Sequence, residues 1–139
     1  AASPKRRAPS YWRDSPTRLT RTDPHYGLDR ITACKAAFLA AGFLAHTERY
    51  TLWGYGDTGR GLRRALARHG KRPALIVELQ HGRLGNTIHV APVIRPDELP
   101  QHTRWPLLAS VAGGEARGLI RDALATMGFV EGTDFVCTA

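Results

Sequence analysis

Along this chain, short unbroken apolar runs alternate with longer stretches in which apolar residues return at helical spacing. The first periodic stretch runs from about Gly27 to Ala41, where Leu28, Ile31, Cys34, Phe38 and Ala41 share one helical stripe and Gly42 stops the pattern. Tyr50 to Trp53 reads as a strand, Thr58 to His69 as a helix ended by Gly70, and Pro73-Ala74-Leu75-Ile76-Val77-Glu78-Leu79 as a strand buried on both faces. Beyond a loop through Gly82 and Gly85, a short strand is expected around Ile88 to Ile94. Pro96-Asp97-Glu98-Leu99 is a single helical turn, with proline where its missing N–H leaves no bond unmade. Trp105 to Ala112 is another buried strand, and Gly113-Gly114 turns it into a helix from Glu115 to Met127. Leu119, Ile120, Ala123, Leu124 and Met127 form that helix's apolar stripe; Gly128 ends it, and Asp134 to Cys137 is a last short strand. Such alternation predicts an α/β domain with an open parallel sheet of about five strands and helices on both faces. The crossovers are right-handed, because a strand, a helix and a parallel strand wind back that way.

Both periods fail before the first helix. Pro4, Pro9, Pro16 and Pro24 stand among Ser, Thr and Arg, so residues 1–26 read as a linker or extended arm and residues 27–139 as the domain. Tyr11 and Trp12 are the exceptions in the arm, and aromatic rings in a polar leader dock on something. The first quarter of the chain is strongly basic, with Lys5, Arg6, Arg7, Arg13, Arg18, Arg21, Arg30 and Lys35 opposed only by Asp14, Asp23 and Asp29, in a chain whose formal net charge is +8. Such a segment is attracted to an acidic neighbouring domain, anionic lipid or nucleic acid. The missing interleaving of aromatic and basic residues argues against nucleic acid and for a solvated leader.

At 139 residues the chain holds one domain and is too short for a two-domain dehydrogenase. No apolar run approaches the roughly 18 residues that cross a bilayer, so no transmembrane segment is expected, and no secretory signal is visible within the chain. Cys34 and Cys137, far apart in different predicted elements, argue against a disulfide framework or a zinc site and fit a reducing cytoplasm.

The residues that carry chemistry are few. Gly54-Tyr55-Gly56-Asp57-Thr58-Gly59 spells GxGxxG between a predicted strand and a predicted helix. There the three glycines serve a tight turn, backbone approach to a phosphate, and close helix-on-strand packing. A phosphate would rest on the helix N-terminus, whose unpaired N–H groups and dipole favour negative charge. Glu78 ends the next strand about 20 residues on, where a carboxylate accepts hydrogen bonds from ribose hydroxyls. Gly113-Gly114 ends another strand and should face the same cleft. Asp57 would repel a pyrophosphate unless it points away or caps the helix, and capping is the expected role. Arg60, Arg64 and Arg68 share a helix face; Arg60 is nearest the turn and is the candidate phosphate partner, against the alternative of a solvated basic face. No histidine pair has metal-ligand spacing, no GxSxG elbow appears, and Cys34 on an apolar stripe reads as core. The candidate binding set is therefore Gly54, Gly56, Thr58, Gly59, Arg60, Glu78, Gly113 and Gly114, with no catalytic or metal residue.

Tyr11-Trp12-Arg13-Asp14 with Arg18, Thr20, Arg21 and Asp23, the Leu28 to Leu39 helix carrying Lys35, and Leu52-Trp53-Gly54-Tyr55-Gly56-Asp57-Thr58-Gly59-Arg60 together resemble the C-terminal region that follows the catalytic domain in some bacterial family 2 glycosyltransferases. Arg83-Leu84-Gly85-Asn86-Thr87-Ile88-His89, Pro92-Val93-Ile94 and Gly132-Thr133-Asp134-Phe135 extend the resemblance over nearly the whole chain. It is also similar to Rossmann-like modules in sugar acetyltransferase N-terminal domains and sugar methyltransferase C-terminal domains. The resemblance implies a Rossmann-like accessory domain that binds a nucleotide or sugar nucleotide, with the transferase chemistry in a preceding catalytic domain, so that this chain alone transfers no sugar. Two positions depart from the pattern: Val90 stands where a glycine is expected ahead of Pro92-Val93, and Glu78 where related modules often carry aspartate. Two other readings stay open: a structural module with an empty cleft, docking a partner through Tyr11, Trp12 and the basic arm, and an NAD(P)-binding oxidoreductase domain. The last is weakened by the missing catalytic acid, base and substrate domain.

Overall fold

The computed structural model describes residues 24–79 and 87–139. The expected arm with Tyr11 and Trp12, and the loop through Gly82 and Gly85, lie outside the described residues. The chain falls into two compact units, Ala1–Cys34 and Lys35–Ala139. Of the first, the described part is the opening of helix α1, Pro24–Ala41, which starts on a proline expected to belong to the arm. Ile31 and Cys34 in it are exposed.

The second unit carries the end of α1, then β1 (Arg49–Trp53), α2 (Asp57–Ala67), β2 (Arg72–Val77), β3 (Thr87–Ile88), β4 (Ala91–Ile94), a 3-10 helix (Pro96–Gln101), β5 (Leu107–Ala109), α3 (Gly114–Thr126) and β6 (Phe135–Cys137). The strands form one six-stranded sheet in the order β3-β4-β2-β1-β5-β6. All neighbours are parallel except β3 against β4, so five parallel strands gain one antiparallel edge. The expected α/β architecture is present, and what differs is the edge.

Strand alternation sorts the core into two layers. Tyr50, Leu52, Ile76, Val93 and Leu108 meet Leu62, Ala65 and Leu66 of α2 and Ala36 and Leu39 of α1. Trp53, Leu75, Val77, Leu107 and Ala109 meet Ile120 and Leu124 of α3 and Leu99 of the 3-10 helix. Helices thus cover both faces. The stripe expected to seat α1 does not do so: Phe38 is 80% exposed, and Ala36 and Leu39 face the core instead. The cause is the alanine content of Ala33, Ala36, Ala37, Ala40 and Ala41, which leaves little contrast between the helix faces. Leu119 likewise turns outward on α3 while Ile120 and Leu124 turn in. Cys34, read as core, is exposed, and both cysteines are free thiols. No helix among the described residues is long and apolar enough to cross a membrane.

The single strand expected from Ile88 to Ile94 is a hairpin, with Ile88 paired to Ala91 around His89-Val90. A two-residue hairpin turn of type I′, whose twist matches the flanking strands, needs positive φ at both central residues. His89 (φ 49°) and Val90 (φ 72°) supply it without glycine. For a β-branched residue this conformation costs about 1–2 kcal/mol, and Val90, 90% exposed, regains little by burial. Val90→Gly is therefore expected to stabilise the domain by about 1 kcal/mol net of the added unfolded-state entropy. The urea midpoint should rise with unchanged slope; an unchanged or lower midpoint would count against the strain.

Candidate functional site

In this strand order β1 has β2 on one side and β5 on the other. The chain leaves the sheet in opposite directions from β1 and β5, and a crevice opens at their carboxyl ends. The glycine turn lies there. Gly54 (φ +100°) is held by its N–H to Val77 O at 2.9 Å. A Cβ on it would stand 2.6 Å from Val111 Cγ2 and 3.1 Å from Ser110 O, so the turn tolerates only glycine. Gly59 is the close-packing position: a Cβ there would lie 2.1 Å from Gly54 O. Gly56 has ordinary extended geometry, and a Cβ on it meets nothing within 4 Å.

α2 begins after Gly56 with no side-chain cap, and its first helical bond is Arg60 N–H to Gly56 O at 2.9 Å. The N–H groups of Asp57, Thr58 and Gly59 precede that bond and have no acceptor within the helix. Asp57, expected to cap, does not. It is the first helical residue, and its carboxylate is 98% exposed and pairs with the Arg60 guanidinium. Its negative charge is thus turned outward and met by a cation. Arg60 also donates to Tyr55 O at 3.2 Å and lies over the Tyr55 ring. The arginine chosen as phosphate partner is therefore engaged in bracing the turn.

Glu78 closes the other side. One carboxylate oxygen accepts from Tyr55 N–H at 3.3 Å and the other from Leu79 N–H at 3.0 Å, which ties the end of β2 to the turn after β1. Gly54, Tyr55, Gly56, Asp57, Thr58, Glu78, Ser110, Val111 and Ala112 line a cavity of about 280 Å³. Of the residues expected from the motif, Gly54, Gly56, Thr58 and Glu78 come together here, whereas Gly59 packs α2 against β1. Gly113 and Gly114, expected on the opposite wall, are not among the lining residues. Gly113 caps α3, and the wall is made by Ser110, Val111 and Ala112 instead. Ser110 donates its backbone N–H to Trp53 O at 2.8 Å, while its hydroxyl, on a residue 97% buried by its 3% exposure, has no partner among the described residues. Ser110 to Ala112 are expected as the end of a strand running to Ala112; the strand ends at Ala109, and their nearness to the glycine pair is the sequence signal for the wall.

A second cavity of about 370 Å³ adjoins the first and shares Gly54, Glu78 and Val111 with it. Its remaining lining is almost wholly apolar, from Trp53, Leu79, Pro96, Leu119, Ile120 and neighbouring alanines. The exposed Leu79 and Leu119 find their place here. Comparison with known protein families, with curated proteins and with solved structures finds no match. The site therefore stands on its own geometry. Among the described residues, no three of His, Cys, Asp and Glu converge in a way that could hold a metal ion.

Proposed function

We propose that this chain is a Rossmann-like accessory domain of a glycosyltransferase that binds a nucleotide or sugar nucleotide without catalysing transfer itself, in the cytoplasm. One observation carries the binding half of this reading. A cavity at an uncapped helix N-terminus, edged by Thr58 and Glu78, adjoins a more apolar cavity, and both meet at the carboxyl ends of β1, β2 and β5. A nucleotide has matching parts in the same order: an anionic phosphate for the α2 N–H groups, ribose hydroxyls for the Glu78 carboxylate, and a flat base for the surface between Trp53 and Leu119. Glu78 also sets a limit, because a carboxylate beside the phosphate site disfavours a second anion there. The glycosyltransferase half rests on the resemblance around Trp53 to Arg60 and on the basic arm.

A panel of UDP, a UDP-sugar and NAD(P)H tested by thermal denaturation decides the class of ligand. At about one hundred times Kd a ligand adds about 2.7 kcal/mol, a rise of about 10 °C for a domain of this size. A shift confined to NAD(P)H, with hydride transfer, would favour the oxidoreductase reading. No shift across the panel at millimolar ligand would favour a docking module. One observation speaks for docking: exposed Phe38 borders an apolar cavity of about 330 Å³ with Leu39, Phe43, Val136 and Cys137.

A further inference from the structure

The carboxyl ends of the strands hold the cleft; at the amino end of β2 there is a second, differently charged cavity. Arg63 and Ala67 of α2, Lys71, Arg72 and Pro73 at the start of β2, and His89 and Val90 in the hairpin turn enclose about 290 Å³. This is near the lower end of the range of about 300–1,000 Å³ that small-molecule sites occupy. Two guanidinium groups, an ammonium group and an imidazole line it, and no carboxylate among the described residues does.

Backbone bonds set this arrangement. Lys71 N–H donates to Leu66 O at 3.1 Å as α2 ends, and Arg72 N–H donates to Glu48 O at 2.8 Å as β2 begins. The Lys71 ammonium is held by Thr47 O at 2.8 Å, a neutral acceptor that leaves its charge uncompensated. The ion pairs among the described residues join Arg60 to Asp57, Arg95 to Asp97 and Glu98, and Arg121 to Glu131; none involves Arg63, Lys71 or Arg72. Arg63 Nε is buried and without a hydrogen-bond partner among the described residues. Tyr50 lies close enough to feel the Arg63 charge, but burial pushes its phenol up, so it stays neutral and supplies no counter-charge. A solvated basic face would leave its guanidinium N–H groups to water. Here Nε is buried without a partner, on a residue that lines the same cavity as Lys71 and Arg72.

We propose that this cavity binds a phosphate-bearing anion, either a free phosphate or diphosphate or the phosphate of a lipid headgroup. A tetrahedral oxyanion supplies what the site lacks. Its oxygens accept from the planar Arg63 fork and from Arg72, and its charge offsets Lys71. The strained His89-Val90 turn forms the wall opposite α2.

The test is a titration of the whole chain with inorganic pyrophosphate, followed through backbone amide resonances. Saturable shifts are expected at Lys71, Arg72 and His89, and Arg72→Glu, an exposed change, should weaken them at least tenfold. Arg63→Met should do the same, and Arg63→Lys, which keeps the charge and loses the fork, should weaken binding by a smaller factor. Pyrophosphate bound at the other end of α2 would shift Thr58 and Gly59 instead, so this site and the nucleotide cleft stand or fall separately. Sedimentation with phosphatidylcholine vesicles carrying phosphatidic acid, at about 0.15 M salt, distinguishes the sources. Retention that both pyrophosphate and Arg72→Glu abolish assigns a lipid headgroup, and pyrophosphate binding without retention sensitive to Arg72→Glu assigns a free phosphate. Absence of saturable shifts at the three amides overturns the proposal, as does unchanged affinity in both Arg72→Glu and Arg63→Met.

Discussion

Gly59→Ala is expected to lower the stability of the domain by about 3 kcal/mol or more, at the upper edge of what overpacking costs. The added methyl would lie 2.1 Å from Gly54 O, a backbone atom that no side-chain rotation can remove. Relief requires α2 to move off β1. That movement opens the contact of Leu62, Ala65 and Leu66 with Leu52 and Ile76 and disturbs the bond from Gly54 N–H to Val77 O. The loss therefore spreads from one atom to a core layer. Thermal denaturation should show a midpoint about 10 °C lower or more, and a chain that fails to fold would be the same result in stronger form. A shift of only one or two degrees would mean that helix and strand are further apart than described. Gly118→Ala, on α3 with open space around its Cβ, serves as the control in which the same chemical change is tolerated.

Gly56→Arg has the opposite profile, with a large effect on binding and a small one on folding. Gly56 has φ −81° and ψ −161°, open to any residue, and a Cβ there meets nothing within 4 Å. The residue is exposed and lines the first cavity, so a long side chain enters the space in front of the α2 N–H groups. Loss of glycine at the helix cap costs at most about 1 kcal/mol. Nucleotide affinity should fall by about a hundredfold or more, because the phosphate loses its approach to the backbone. Arginine makes the test stringent: its charge alone would attract an anion, so any loss comes from bulk. The measurement is the ligand-induced rise in melting temperature, which should vanish while the free domain melts near its original temperature. A rise that survives places the ligand elsewhere or removes the nucleotide reading.

The contrast between these glycines was only partly legible in the chain. Their spacing in a strand, turn and helix context was readable because the demand on each is local: a turn, an approach and a contact one helical turn apart. The distances agree with the order the motif implies, Gly59 against Gly54 O and Gly56 facing empty space, and add how tightly Gly59 is packed, which no local pattern contains. The position of Asp57 beside the turn predicts a helix cap. The helix starts one residue earlier than expected, which makes Asp57 its first residue and sets it against Arg60. The face of α1 is not legible in the sequence because an alanine-rich helix offers nearly equal faces, and the sheet takes Ala36 and Leu39 over Phe38.

Periodicity and the glycine positions together determined the α/β alternation, the parallel part of the sheet and the place of the glycine turn, though not the antiparallel hairpin at the edge, because apolar alternation and glycine's freedom act over a few neighbouring residues. Tertiary structure decided the rest. Ser110 to Ala112 became the far wall of the cleft because β5 lies beside β1, more than fifty positions away in the chain. Arg63, Lys71, Arg72 and His89 became one cavity because β4 pairs with β2 and carries the hairpin turn to the end of α2. Such contacts arise from packing between distant segments, and the periods of the chain carry no record of them.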